Sequence, residues 1–557
     1  MSSKDKKVKI IPLGGMGEVG KNMTLLECEG RILIIDMGLN FPEDDSPGVD
    51  YIIPNISYLK GRKKDILGVV FTHGHYDHIG AVPYFLNKLG NPPLYGSPLT
   101  MGIIEKRQSD FPSQPKLKKI VVEDGNSIQM GPFNVEFFHQ NHNIPHNLGL
   151  FIETPAGNIL HTSDFKFDKT PQNGPATNFE RLEKLSERGV HLMLSDSTGA
   201  EIDGNSLSEK TISENMEKIF RNAKGRIITA TFSSLINRVQ DIINLSEKYN
   251  RKVVIEGYGM KTNIELARNL NLIKIKKGTL VDRRNADELA AENTTIICTG
   301  AQGEERAALM RITNGEHRHF ELRERDTVVF SSSVIPGNER SVQNLRDDIL
   351  RQGADVYHYK MMDIHAKGHA QSEEIIEMIK IMRPNYLIPA HGQYSMLVRH
   401  KKLAEKTGIP EKTMIIENGE PAVLSPKNLY KADKAVNAKP VMVDGSGVGD
   451  VGGVVLYDRK ELAENGIFVV IAVVDKETKK LQNSPDIISR GFVYLRESQD
   501  LLAETRNKVR EIIKEASKSR KKSAPKKIKK MMGKRIEDFL YSKTKRRPIV
   551  LPVVIEI

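Results

Sequence analysis

His73-Gly74-His75-Tyr76-Asp77-His78 places four potential metal ligands in six residues. The run follows Leu67-Gly68-Val69-Val70-Phe71, which reads as a buried strand. It precedes Ile79-Gly80-Ala81-Val82-Pro83-Tyr84-Phe85, which reads as the opening of a helix. A loop that leaves a strand holds its imidazoles on rigid backbone and aims them at one point. His73 and His75 alternate along extended chain and can face one metal ion, while Asp77 and His78 turn toward a second. Such a cluster suits metal-assisted hydrolysis, in which a bound divalent ion acidifies water and polarises the oxygen of the group under attack. With 15 histidines in 557 residues, three within six positions argue against a surface loop that is histidine-rich by accident.

A second ion needs more donors, and the chain has candidates wherever an apolar run gives way to a loop. His142 follows Phe137-Phe138-His139-Gln140-Asn141, Asp164 follows Ile159-Leu160-His161-Thr162-Ser163, and His391 follows Tyr386-Leu387-Ile388-Pro389-Ala390. His139, His146 and His161 lie close enough in sequence to compete, and residue types alone do not choose among them.

The elements that must carry these loops change character along the chain. Up to about residue 200 the pattern is hairpin-like: residues 23–36 alternate about a turn at Glu29-Gly30. Beyond Gly204, helical stretches such as 213–221 alternate with short apolar strands at 226–230, 252–255, 295–298 and 327–330. That rhythm predicts a mostly parallel sheet. The glycine-rich run 443–453 is not a phosphate-binding loop, because no Lys-Ser/Thr follows at the required spacing. Residues 506–518 have helical spacing, 518–527 read as a solvated link, and 548–557 read as a terminal strand.

Composition sets bounds on the rest. A chain of 557 residues is expected to hold several domains. It has no apolar run long enough to span a membrane, and its charged opening, residues 1–7, argues against a secretory signal. Cys28 and Cys298 are the only cysteines, so no disulfide scaffold is expected and a reducing cytoplasm is the natural home. The net charge of +12 is unevenly spread: residues 506–547 hold 18 Lys/Arg against four acidic side chains, a local +14, which leaves −2 for the remainder. Such a block is a footprint for a polyanion, or else only a solvated helical face. Phe539 and Tyr541 are its only aromatics, so phosphate attraction is favoured over base stacking there.

The motif His73-x-His75-x-Asp77-His78 with His142, Asp164 and His391 resembles the metallo-β-lactamase fold. Asp196 in Leu194-Ser195-Asp196-Ser197-Thr198, a long insertion, and His365-Ala366-Lys367-Gly368-His369-Ala370 resemble the β-CASP nucleases, and among them the bacterial ribonuclease J type. Residues 13–22, 299–304 and 335–339 are similar to further signatures of that family, so the resemblance runs nearly end to end. It implies an α/β chain. Residues 1–204 and 365–445 would form the two parts of a metallo-β-lactamase αββα sandwich, and 205–364 an inserted β-CASP α/β domain. Residues 446–465 would be a linker, and 466–557 a small α+β C-terminal domain for oligomerisation or RNA binding.

The resemblance also implies roles. One Zn2+ would be held by His73, His75 and His142, another by Asp77, His78 and His391, with Asp164 between them. Manganese or magnesium would support activity. His369 would protonate the leaving oxygen with Asp196 as its partner. Ser233, Ser234 and the loop His365, Ala366, Lys367, Gly368 and His369 would hold RNA phosphates. Gly48, Asp50 and Asp444 match positions that can bind structural calcium. The chain departs from the family at Lys367, where serine is usual, and at Asn237, where histidine is usual. The activity implied is cleavage of single-stranded RNA from a 5′-monophosphate end, with some internal cleavage, in mRNA decay and rRNA maturation. The partners implied are a homodimer or homotetramer, and a helicase, a paralogous ribonuclease or the ribosome. The competing readings are a mainly endonucleolytic or DNA-directed nuclease, a small-thioester hydrolase, and a weakly active RNA-binding partner subunit. The long insertion argues against a small substrate, and the complete ligand set argues against a partner that has lost activity.

Overall fold

In a computed structural model the chain is described for residues 6–42, 46–284, 289–335, 337–445, 447–478, 480–493, 498–518 and 525–557. It divides into two compact units, Met1–Phe41 with Tyr51–Val441, and Pro42–Asp50 with Met442–Ile557. The start of the charged opening, Pro336, Ser446 and residues 519–524 of the expected solvated link lie outside the described residues.

Two mixed sheets form the first layer pair. One has eight strands, in the order Asn428–Lys431, Ala422–Ser425, Val8–Gly14, Met23–Cys28, Arg31–Ile35, Ile66–Val70, Leu94–Gly96 and Lys119–Val121. The other has seven, from Lys412–Thr413 through Tyr386–Ala390, Leu192–Asp196, Ile159–His161, Leu148–Glu153 and Phe133–His139 to Ser127–Met130. The two-residue period explains how they pack. Ile10, Leu26, Leu33 and Ile35 from the first sheet share a core with Phe133, Val135, Phe137, Leu148 and Leu150 from the second. The neighbours Phe138, Phe151 and Leu160 belong instead to a second core, closed by the helices Phe179–Glu187, Ser372–Met382 and Tyr394–Thr407. The expected turn at Glu29-Gly30 joins two strands, and both residues have positive φ (51° and 73°), the geometry that matches the twist of a tight hairpin.

The helix expected over 79–85 is instead two short turns, Tyr76–Ile79 and Val82–Phe85, the first starting inside the ligand motif. Pro83 has no N–H to donate to Ile79, so one continuous helix cannot cross this point.

The segment between Asp196 and Ser372 builds a five-stranded sheet, ordered Lys252–Ile255, Thr294–Cys298, Ile227–Ala230, Thr327–Phe330, Asp355–His358. Every pairing is parallel. The runs are apolar throughout because helices cover such sheets. Glu209–Asn222 starts on an Ser208 hydroxyl that accepts from Lys210 N–H, and Ile236–Lys248 brings Arg238 and Asp241 into the interior.

In the C-terminal unit Asp486–Arg490, Ile467–Val474 and Ile549–Glu556 form a three-stranded sheet. The helices Gln499–Lys518 and Pro525–Thr544 cover one face of it through Val509, Ile512, Ile513, Ile528, Met532, Ile536 and Leu540. The basic block is thus largely helical, with apolar residues at three- and four-residue spacing packed inward. Residues 446–465, read as a linker, contain the helix Gly453–Asn465.

Asp241 is buried, and only one of its oxygens is bonded: Oδ1 accepts from Asn173 Nδ2 at 2.6 Å, while Oδ2 has no partner. Burial pushes its carboxyl up to about 7 against the opposing pull of Arg238. A carboxyl raised in the folded state favours folding below its unfolded pKa, and that advantage is lost as pH rises through the folded value. Asp241→Asn is therefore expected to gain stability over the parent between about pH 4 and 7. The gain should reach at most about 4 kcal/mol near pH 8. Thermal unfolding of both proteins at pH 5 and pH 8 checks this, and equal differences at the two pH values would contradict it.

Candidate metal centre

Six loops leave the C-terminal ends of strands and meet at one rim. The strands Ile159–His161, Leu192–Asp196 and Tyr386–Ala390 are parallel neighbours, so Asp164, Asp196 and His391 emerge on the same side. Arg31–Ile35 and Ile66–Val70 are parallel neighbours in the facing sheet and deliver Asp36 and His73. His142 follows Phe133–His139.

Three donor groups result: His73, His75 and His142; Asp77, His78, Asp164 and His391; and Asp164, Asp196, His369 and His391. Nδ1 of His75 is 3.0 Å from Nε2 of His73 and 3.2 Å from Nε2 of His142. Asp164 sits between the groups. Its Oδ2 lies 3.3 Å from His78 Nε2 and 3.8 Å from the Nε2 atoms of His73 and His142, and its Oδ1 lies 2.9 Å from His391 Nδ1. Oδ2 of Asp77 is 3.4 Å from His391 Nε2 and 3.5 Å from His78 Nε2. His139, His146 and His161 belong to none of these groups.

The imidazole hydrogen bonds fit a bound cation. Nδ1 of His142 donates to the Gly368 carbonyl (2.7 Å), and Nδ1 of His78 donates to Asp36 Oδ2 (2.8 Å). Nε2 is then the unprotonated nitrogen of each ring, that of His142 facing His75 Nδ1 (3.2 Å) and that of His78 facing Asn22 Nδ2 (3.1 Å). The Thr72 hydroxyl donates to Asp36 Oδ2, so it can accept from His73 Nδ1 at 3.1 Å, which frees the Nε2 of that ring too. Nε2 of His391 is buried and makes no hydrogen bond. Lone pairs converging at about 3 Å repel unless a proton or a metal lies between them.

Burial opposes charge on His78 and His391, yet Asp164 raises both well above the ordinary histidine value, so a cation at these rings would take the place of their protons. Burial opposes the charge on Asp164, yet His391 and His78 hold its carboxyl well below the usual range. Burial pushes His75 down to about 4, so it is neutral and able to ligate near neutral pH. Burial alone would lower His369, but the charge and hydrogen bond of Asp196 raise it above the ordinary histidine value. Asp196 Oδ2 accepts from His369 Nδ1 at 2.8 Å, and its Oδ1 accepts from Thr198 N–H at 2.9 Å.

The expected phosphate-binding residues are only partly gathered. His365 and Ala366 line a pocket beside the centre with His142, Asn143, Glu209, Leu235, Asn237 and Arg238. Burial, reinforced by Arg238, pushes His365 down to about 3, so its unpartnered Nδ1 belongs to a neutral ring. Lys367 is exposed. Ser233 and Ser234 precede the helix Ile236–Lys248, with Ser233 O accepting from Asn263 and Ser234 O from Ile236 N–H; neither lines that pocket. Of the residues matched to calcium sites, Asp50 Oδ2 accepts from Gly445 N–H, while Asp444 Oδ2 lies 2.5 Å from Arg459 Nη2. A Cβ on Gly48 would meet Arg459 Nη1 at 2.8 Å. A guanidinium already neutralises Asp444, and a calcium ion there would have to displace it.

Sequence reasoning missed Asp36, the role of the Gly368 carbonyl toward His142, and the buried group of Arg238, Glu209 and Lys166. Asp36, 2% exposed, accepts from Thr72 N–H, Thr72 Oγ1 and His78 Nδ1. Its signal was available, because like Asp164 and His391 it ends an apolar strand. The Gly368 carbonyl leaves no trace in a side-chain motif. The pair Arg238–Glu209 (2.5 Å) and the buried Lys166, 3.4 Å from Glu209, tie the insertion to the loop of Asp164.

Asp36 belongs to none of the donor groups and orients the candidate donor His78, so Asp36→Ala should keep the fold and weaken metal affinity about 10- to 100-fold. Competition titration with a chelator of known affinity measures this. Unchanged affinity would show that His78 needs no such partner.

Residues 16–194 match the metallo-beta-lactamase superfamily, and 357–415 match the Zn-dependent metallo-hydrolase RNA specificity domain. Residues 224–349 match the ribonuclease J beta-CASP domain, and 454–557 the ribonuclease J C-terminal domain. Ribonuclease J 1 of Streptococcus pyogenes serotype M3 is 40% identical over 556 residues, covering 100% of this chain and 99% of that protein. Ribonuclease J 2 of Staphylococcus aureus is 37% identical over 558 residues, covering 100% of both. A solved structure of a protein of unknown function from Enterococcus faecalis V583 aligns with TM-score 0.54 at 15% identity, over 75% of this chain and 100% of that one, a likeness of fold alone. With this identity along its whole length, a metallo-hydrolase core and both family-specific domains, the chain belongs to the ribonuclease J family of metal-dependent nucleases.

Proposed function

We propose that the chain is a two-zinc ribonuclease that degrades single-stranded RNA from a 5′-monophosphate end and also cuts internally. The observation that carries this reading is the pair of donor groups His73, His75, His142 and Asp77, His78, Asp164, His391, with Asp164 Oδ2 3.8 Å from the first group's His73 and His142, beside a pocket lined by His365 and Arg238. His73, His75 and His142 would hold one ion, and Asp77, His78 and His391 the other. When bound, the ions supply an acidified water and positive charge for the phosphorus under attack.

The chain's own residues do the rest. Nδ1 of His369 is committed to Asp196, so Nε2 is the atom left to meet the departing 3′ oxygen. Against the effect of burial, the carboxylate raises that ring's pKa and so favours the protonated form that proton delivery requires. His365, being neutral, can give a phosphate a hydrogen bond but no charge. Arg238 is shared with Glu209, which leaves exposed Lys367 as the cation that this loop itself carries. This compensates for the serine that the family usually has there.

The C-terminal unit suits assembly. Helices cover one face of its sheet, while Ile488, Leu551 and Ile555 are exposed. A second copy of this chain would cover such residues, giving a homodimer or homotetramer, and the basic helices would attract RNA. Buried, unpaired Cys28 and Cys298 suit the cytoplasm, where a helicase, a paralogous ribonuclease or the ribosome would be the partners in mRNA decay and rRNA maturation. Among the described residues no helix is long and apolar enough to cross a membrane.

His75→Ala and Asp77→Ala should each abolish cleavage of RNA in zinc- or manganese-supplemented buffer while the circular dichroism spectrum is retained. His369→Ala should keep the metal and lose roughly 10²- to 10⁴-fold in kcat. Metal content and turnover decide both, and full activity in chelator would refute the metal mechanism. Matched RNA and DNA oligomers test the substrate class.

Direction is tested with 5′-monophosphate, 5′-triphosphate and 5′-hydroxyl forms of one RNA. The monophosphate form should release mononucleotides in succession, and the triphosphate form should yield internal cuts only. Identical ladders from all three would mean that Lys367 and Asn237 have rebuilt the end pocket and that the enzyme is chiefly an endonuclease.

A further inference from the structure

Tyr76 lies between two donors, His75 and Asp77, yet it is 41% exposed. The ring is held from within. The Arg107 guanidinium carbon lies 5.0 Å from its centroid, and the same group stacks on Tyr51 (5.1 Å) and Phe111 (5.7 Å). Arg107 is buried and donates through Nε to the Gly80 carbonyl at 3.1 Å, so it cannot swing away. The Tyr76 carbonyl accepts from Leu39 N–H (3.0 Å), which brings up Phe41, 57% exposed, with its ring 5.9 Å from Tyr51. Tyr394, three residues beyond His391, is 52% exposed. None of these three exposed rings belongs to a described core cluster.

The two flanks of the centre therefore differ in chemistry. Next to His142 the pocket is polar and carries His365, Asn143 and Arg238, which suits phosphate. Along the chain beside Asp77 and His391 stand Tyr76 and Tyr394, exposed rings outside the described cores. We propose that Tyr76 is a stacking platform for a base of single-stranded RNA on the 3′ side of the bond to be cut, with exposed Phe41 and Tyr394 as further candidate rings. The proposal rests on the ribonuclease reading and adds to it where the body of the RNA lies. Stacking on an aromatic face accepts all four bases, as a degradative enzyme requires, and a pre-stacked ring loses little freedom when it binds. A cation behind the ring also fixes its orientation without a polar contact on the outer face.

The test uses the full chain with metal bound and a 5′-monophosphorylated ten-nucleotide RNA in which each position in turn lacks its base. In the parent, one or two abasic positions on the 3′ side of the cut should lower kcat/KM about 5- to 100-fold, mainly through KM. Tyr76→Ala should show the same loss on intact RNA, and the abasic change should then add less than about twofold. Tyr76→Phe should restore the parent profile, and metal content should be unchanged in both variants. An unaltered abasic profile in Tyr76→Ala overturns the platform, as does loss of metal from Tyr76→Phe. A fall in native mass with Tyr76→Ala or Phe41→Ala also overturns it, by assigning the rings to contact between copies. A parent chain that cleaves no RNA with any metal would instead remove the ribonuclease reading itself.

Discussion

The charge on Asp164 is the constraint that orders this molecule. A carboxylate only 2% exposed is surrounded by the imidazoles of His73, His78, His142 and His391, all themselves buried. Several polar rings cannot be removed from water together unless each has a defined partner. The fold answers by assigning the outer nitrogens to Asp36, Thr72 and the Gly368 carbonyl, which leaves the inner ones for a cation. Two sheets are needed because no single one has enough strand ends at one rim to supply Asp36, His73, Asp164, Asp196 and His391.

That concentration has a backbone cost. Asp36, Ser163 and His391 all have positive φ (61°, 58° and 48°) although none is glycine. Each such residue costs of the order of 1 kcal/mol or more. They lie next to or within the donor set, where a sharp reversal turns a side chain inward just after its strand ends. The two apolar cores on either side of the second sheet, with Phe133 and Phe137 in one and Phe138 and Phe151 in the other, hold the strands against this strain.

What was legible in the sequence follows from distance along the chain. His73 to His78 could be read directly because local geometry brings those residues together. His142, Asp164 and His391 could be suspected because each ends an apolar run, but only the resemblance chose them over His139 and His161. Asp36 carried the same strand-end signal and was overlooked, since a lone aspartate there also reads as an ordinary strand terminator. The parallel sheet showed itself in the alternation of short apolar runs with helical ones. The strand Asp355–His358 did not, having only Val356 buried in its middle. The helix Gly453–Asn465 was hidden too. Its start is glycine-rich and it buries none of its residues, so no apolar stripe marks it.

The insertion is more than an appended substrate surface, because it closes on the centre through one peptide. Ile364 O accepts from Arg238 Nη1 (2.7 Å) and from Ser331 Oγ (2.8 Å), which pins the chain as it leaves the five-stranded sheet. Four residues later Gly368 accepts from His142, and a Cβ at Gly368 would lie 2.5 Å from the His142 ring. Only glycine allows backbone to come that close. The loop carrying His365, Lys367 and His369 therefore cannot shift without changing the partner, and hence the tautomer, of His142, a candidate metal donor. Movement of the insertion when RNA binds would be felt at His142 directly, through a hydrogen bond rather than through a long relay. A phosphate bound on this loop and a metal held at His142 would thus be coupled through this one contact.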